Sequence, residues 1–171
     1  NTLVETIRQM SPPKKGGRET YGAKPQKLSE IEVEKIGRLS TGFEEFDRVL
    51  GGGMVAGSVI LLAGDPGIGK STLLLQVALG LAAGPGPVLY VSGEESPQQL
   101  KMRAQRLNQE KGVNLLLLAE TNVENALTTI EEEKPGLVVV DSIQTMWTDQ
   151  MSGTPGSVGQ VKECAARLLK T

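Results

Sequence analysis

The chain has 171 residues, 39% of them hydrophobic and 22% charged, enough for one domain with a core of its own plus a tail. Its formal net charge of -2 provides no global basic field, so any nucleic-acid contact must be local. The absence of His excludes His-based catalysis and His metal ligands; the single Cys, Cys164, excludes an intrachain disulfide and a four-Cys zinc site, and fits a reducing compartment.

Residues 1–35 are polar and punctuated. The stretch "SPPKKGGRETYGAKPQK" has Pro, Gly and basic residues without a period, which predicts a linker or flexible arm. Lys14, Lys15, Arg18, Lys24 and Lys27 either touch phosphates or form a solvated charge run. From Ile36 the texture changes, and residues 36–171 read as one domain. Thr41 and Glu44 have capping-box spacing before a short helix; Phe43, Phe46 and Leu50 share its face, and Gly51 ends it. Alternating units follow. Val59–Ala63 is a predicted strand, Lys70–Leu81 a helix, and Val88–Ser92 a strand. Ser96 caps a helix with Pro97 in its first turn. Leu115–Leu118 is a strand, Val123–Glu133 a helix entered through Thr121 and Glu124, and Leu137–Val140 a strand. Ser157 and Gln160 open the last helix, in which Cys164 reads as a small packed residue. Continuous Val/Ile/Leu runs mean strands buried on both faces, and strand–helix alternation means a mostly parallel sheet sandwiched by helices. The chain starts without Met and stops inside a helical pattern, so it reads as a fragment. No stretch is long and apolar enough to span a membrane, and no signal peptide is visible.

Directly after the first predicted strand comes "GDPGIGKST", Gly64, Asp65, Pro66, Gly67, Ile68, Gly69, Lys70, Ser71 and Thr72. It matches GxxxxGK[ST] between a strand and a helix, the context that a phosphate-binding Walker A loop requires. The glycines let successive backbone N–H groups turn inward toward phosphate oxygens, and the helix N-terminus adds its positive end. In this reading Lys70 reaches the β- and γ-phosphates of ATP, Ser71 ligates Mg2+, and Thr72 donates to the α-phosphate. "LVVVDS" then supplies the second metal group, Asp141, at the end of an apolar strand in the Walker B pattern.

The residue after Asp141 is Ser142, which cannot serve as a base, so the base must come from elsewhere. Parallel neighbours lie about 4.8 Å apart with their C-terminal ends on one edge. If Val88–Ser92 neighbours the Walker strands, one of the two acids in "VLYVSGEES" can face the γ-phosphate and hold a water in line for attack. Glu94 is the first choice and Glu95 the alternative.

With these motifs in order, the sequence resembles the RadA/Sms family of bacterial DNA repair proteins. The resemblance rests on "LSTGFEEFDRVLGGGMVAGSVILLAGDPGIGKSTLLLQ", "VLYVSGEES", "RAQRL", "VVVDSIQT" and "VGQVKECA", and runs from Asn1 to Thr171. It implies a RecA-like P-loop core, incomplete on its C-terminal side. It implies a cytosolic DNA-dependent ATPase, usually a hexameric ring, that processes branched recombination intermediates by branch migration on single-stranded DNA, in company with the strand-exchange recombinase. It also implies a zinc finger before "NTLVE" and a Lon-protease-like domain afterwards, both outside this chain, so zinc belongs only to the missing finger. In RecA-like proteins the loop after Walker B leads toward DNA. Here that is Thr145–Ser157, which contains no Lys or Arg; it is either ordered by DNA or a plain surface connection. Its Trp147 either stacks on a base or packs. Arg103 and Arg106 either approach the adenine or a neighbouring subunit, or form a solvated helix face. A rival of another class is a nucleotide-gated assembly module of the KaiC type, without a role for DNA. A small-molecule kinase would need an Arg-rich lid, an ABC ATPase Leu-Ser-Gly-Gly-Gln, and a GTPase Asn-Lys-x-Asp; the sequence supplies none of these.

Overall fold

The computed structural model describes residues 27–30, 37–107 and 114–171. Two units divide the chain, residues 1–35 and residues 36–171. In the first, the described element is a 3-10 turn, Leu28–Glu30, beside an exposed Lys27–Glu30 ion pair at 3.8 Å. The rest of the predicted arm, with Lys14, Lys15, Arg18 and Lys24, lies outside the described residues.

The second unit opens with β1 (Arg38–Leu39) paired antiparallel to β2 (Met54–Val55), with α1 (Glu44–Val49) between them. Gly53 allows this close pairing: its φ is +116°, and a Cβ there would lie 2.7 Å from the Leu39 carbonyl oxygen. The predicted capping box does not form. Phe43 occupies the N-cap position without a side-chain bond, and Asp47 reaches back from inside α1. Its carboxylate accepts from Ser40 Oγ at 2.6 Å, the Thr41 N–H at 2.8 Å and Thr41 Oγ1 at 2.6 Å. One charged acceptor serves three donors, a stronger arrangement than a single Glu44 back-bond. The Ser40 hydroxyl, followed by the Thr41 hydroxyl and N–H, holds the Asp47 carboxyl below its ordinary range.

The main sheet has three parallel strands. β3 (Val88–Ser92) lies in the middle, flanked by β4 (Leu115–Ala119) and β5 (Leu137–Asp141). Every residue of β3 is buried, as its uninterrupted apolar run predicts. Alternate residues feed two cores. Val88 and Tyr90 pack with Val139 against α2 (Lys70–Ala82) and α3 (Pro97–Arg106), through Leu75, Ala78, Leu79 and Leu100. Leu89 and Val91 pack on the other face with Val123 and Ala126 of α4 (Val123–Glu133), Met146, and Cys164 of α5 (Val158–Leu168). This is the predicted helix–sheet–helix sandwich. Each fully buried Leu in it contributes about 1.5–3 kcal/mol relative to exposure.

Helix α3 starts as read: Ser96 and Gln99 form a capping box with Pro97 in the first turn. Helix α4 does not. Its cap is Asn122, whose side chain accepts from the Asn125 N–H, and Glu120 takes the Thr121 and Asn122 N–H groups at 2.8 and 2.9 Å. Thr121 falls one residue before the N-cap position, which Asn122 occupies, and Asn is a preferred N-cap residue. Ser157 stands at the N-cap of α5 without a side-chain bond, and Gln160 turns inward.

Val59–Ala63 is the clearest departure from the predicted elements. It pairs with no strand among the described residues, and Val59 and Leu61 are 69% and 81% exposed. A strand exists by virtue of a neighbour that completes its ladder, and here none lies alongside. The segment still delivers the chain into the Gly-rich loop.

Candidate functional site

The loop from Gly64 to Gly69 ends in a left-handed Gly69 (φ +101°), which serves as the N-cap of α2, and Gly67 also has positive φ (+79°). Among the described residues no side chain caps this helix, which leaves its first N–H groups available to a ligand. The Lys70 ammonium folds back over the loop and donates to the carbonyls of Gly64 and Asp65, both at 2.8 Å. Thr72 is exposed on the first turn of α2.

Ser71, the second residue of α2, meets Asp141, the last residue of β5. The Ser71 hydroxyl donates to Asp141 Oδ1 at 3.0 Å across 70 residues of sequence. The two motifs therefore converge as read. A third partner lies outside both motifs. Tyr90 is fully buried in the middle of β3, and its hydroxyl donates to Asp141 Oδ2 at 2.7 Å. Burial, and then the bond to Asp141, push the Tyr90 phenol above its ordinary range, so it remains a donor. A signal for this was present: a tyrosine inside a Val/Leu strand carries a hydroxyl that burial obliges to find a partner.

The register of β3 against β5 pairs Ser92 with Asp141, so the two strand ends lie side by side on one edge. This is the adjacency on which the reading of the paired acids depended. The next residues diverge. Glu94 is exposed, and its Oε1 accepts from Ser142 Oγ at 3.3 Å, next to Asp141. Glu95 turns the other way, into an ion pair with Arg103 of α3, in which both side chains are about three-quarters covered. Glu95 Oε2 and Arg103 Nη1 are buried without a partner among the described residues. Arg103 is thus neither a solvated-face residue nor free to reach a nucleotide while this pair holds.

The segment after Asp141 is better anchored than its composition suggests. The Asp141–Ser142 peptide is cis, and a 3-10 turn, Ile143–Thr145, follows. Trp147 packs: it is half-buried, bridges to Asn122, and donates from Nε1 to Thr121 Oγ1 at 3.1 Å. Gln160, 2% exposed, clamps the chain beyond. Its Oε1 accepts from the Thr148 N–H at 2.9 Å, and its amide donates to the carbonyls of Thr148, Met151 and Gly153 at 3.1, 2.6 and 3.3 Å. Beyond Thr148 the tip, residues 149–156, is exposed.

Ser71 and Asp141 are hard oxygen donors on adjacent elements, which fits Mg2+, an ion that keeps most of its shell as water and phosphate oxygens. No group of three or more His, Cys, Asp or Glu side chains that could enclose a metal occurs among the described residues.

Comparison with known proteins identifies relatives of the chain. A family model described as "AAA domain" matches residues 23–161. The DNA repair protein RadA of Pseudomonas aeruginosa is 48% identical over 172 residues, 99% of this chain and 38% of that protein. The protein of the same name in Bacillus subtilis is 46% identical over 177 residues, covering 99% and 38%. That of Escherichia coli is 55% identical over 148 residues, covering 86% and 32%. The chain spans between 32% and 38% of the length of these relatives.

Proposed function

The chain belongs to the AAA-domain family, whose members are P-loop ATPases, and from that premise we propose that it is the nucleotide-hydrolysing core of a DNA-dependent ATPase acting on recombination intermediates during DNA repair. The observation that supports the reading is the strand-edge register: Ser92 pairs with Asp141, Asp141 accepts from Ser71, and Glu94 accepts from Ser142, the residue after Asp141. The names of the RadA relatives supply the DNA repair context.

In this reading the Gly64–Gly69 loop and the start of α2 cradle the phosphates of ATP. Lys70 exchanges its loop carbonyls for β- and γ-phosphate oxygens, and Thr72 donates near the α-phosphate. Ser71 and Asp141 hold Mg2+, which when bound neutralises charge on the phosphates. Glu94, exposed and bonded to Ser142, takes the proton of the attacking water. Glu95 is the poorer base because Arg103 already engages it. The ring assembly, the single-stranded DNA track and the recombinase partner belong to the same proposal and rest on the family resemblance.

The test is ATP turnover by the purified protein with and without single-stranded DNA at low salt, beside Glu94→Gln. DNA should raise the rate, and Glu94→Gln should bind ATP while losing about a hundredfold to ten-thousandfold in turnover, the usual range for a positioned base. Turnover indifferent to DNA would favour a nucleotide-gated assembly module. An active Glu94→Gln would transfer the role to Glu95.

A further inference from the structure

We infer that Tyr90 is a positioning residue for the metal site: its buried hydroxyl holds Asp141 Oδ2, so that Oδ1 stays turned toward Ser71 at the head of the phosphate-loop helix. The inference rests on the nucleotide-binding reading above and deepens it.

A strand-end carboxylate has a broad, nearly two-fold terminal torsion, so packing alone does not decide which oxygen faces the ligand. Tyr90 decides it. In the β3–β5 register, Tyr90 pairs with Val139 and Ser92 with Asp141. Tyr90 and Asp141 are therefore on the same sheet face, two residues apart along the strand, and that face is the one α2 covers. A phenol is long enough to span the offset. Tyr90 is 0% exposed and packs among Leu75, Leu79, Leu100 and Val139, a setting that Phe would fill equally well. The hydroxyl therefore has no packing role, and burying it without a partner would carry a penalty. Asp141 is the partner it has. One carboxylate oxygen is taken by a fixed donor, and the other is left facing Ser71, with which it would hold Mg2+. Such outer partners of metal-binding groups typically change metal affinity tenfold to a hundredfold.

The experiment is a titration of Mg2+ at a fixed concentration of a fluorescent, non-hydrolysable ATP analogue, with parallel binding curves in EDTA. It compares wild type, Tyr90→Phe, Asp141→Ala and the double variant. Tyr90→Phe should need about tenfold more Mg2+ for half-maximal tightening. Its EDTA affinity should stay within twofold of wild type, which also reports an intact fold. In the Asp141→Ala background, Tyr90→Phe should change nothing further, because its only route of action is gone. An unchanged Mg2+ requirement in Tyr90→Phe overturns the inference. So does an equal shift in both backgrounds, or a parallel loss in EDTA, since either marks a general structural effect. If wild type shows no Mg2+-dependent binding of the analogue, the functional reading itself fails, and the inference with it.

Discussion

Gly93 links β3 to the paired acids, and its lack of a side chain is a packing requirement. A Cβ at this position would lie 1.9 Å from Thr145 Oγ1, 2.6 Å from Thr145 Cβ and 3.2 Å from Thr121 Cγ2. Thr145 cannot simply swing away, because its hydroxyl donates to the Ser142 carbonyl at 2.7 Å and closes the 3-10 turn after Asp141. Releasing that bond costs about 1 kcal/mol, and forcing a methyl group into a filled site costs about 1–3 kcal/mol. Gly93→Ala should therefore destabilise the protein by about 1–3 kcal/mol, a drop of roughly 2–12 °C in the thermal midpoint for a domain of this size. Urea unfolding followed by the fluorescence of Trp147, the single tryptophan, measures it. The decisive control is Thr145→Gly, which removes both of the closest atoms. In that background Gly93→Ala should cost less than about 0.5 kcal/mol, a coupling of the size expected for residues in direct contact. Equal costs in the two backgrounds, or no cost in either, would refute the steric argument.

Two further perturbations test the polar framework around the site. Gln160→Leu keeps much of the side-chain volume but leaves the buried Thr148 N–H and carbonyl unpaired, and frees the more exposed Met151 and Gly153 carbonyls to water. Expected are a loss of about 1–3 kcal/mol per buried group left unpaired and faster proteolysis within residues 148–156, read by urea midpoints and by mapping the cleavage sites. Acidification tests Glu120. The Asn122 N–H, then the Asn125 side chain and the Thr121 N–H, hold its carboxyl below its ordinary range against a smaller opposing effect of burial. Its stabilising contribution is thus complete above the ordinary Glu value of about 4.3 and is lost as pH falls through the folded value. Urea midpoints between pH 7 and pH 3 should fall less steeply below about pH 4.3 for Glu120→Gln than for wild type.

What could be read in the sequence divides along a physical line. Periodicity and punctuation describe local chemistry, so the α2, β3, α3, β4, α4 and β5 segments and the Gly64–Thr72 loop were legible. Strand pairing is not local. Val59–Ala63 has the composition of a buried strand, yet becomes one only if another strand lies alongside it. Cap choice among neighbouring polar residues is equally undetermined. Thr41 and Thr121 have the right spacing, but Asp47 and Asn122 win because they reach the N–H groups from where the backbone places them. The Thr145–Ser157 loop reads as loose because its Gly and Ser residues are visible in sequence while the inward turn of Gln160 is not.

The paired acids show the same division at the site. Sequence alone offers two carboxylates one residue apart and favours Glu94 only by position. Geometry separates them through their partners. Glu95 lies over α3, where Arg103 engages it; Glu94 lies over the strand edge, beside Ser142. Both outcomes descend from the one Ser92–Asp141 pairing, since a shift of β3 by one residue would turn Tyr90 to the opposite face and carry it away from Asp141. A single register thus positions the hydroxyl that orients the carboxylate, the glycine that admits Thr145 and the exposed acid beside Ser142. Disturbing that register should impair all three together, whereas Tyr90→Phe, Gly93→Ala and Glu94→Gln should each impair one.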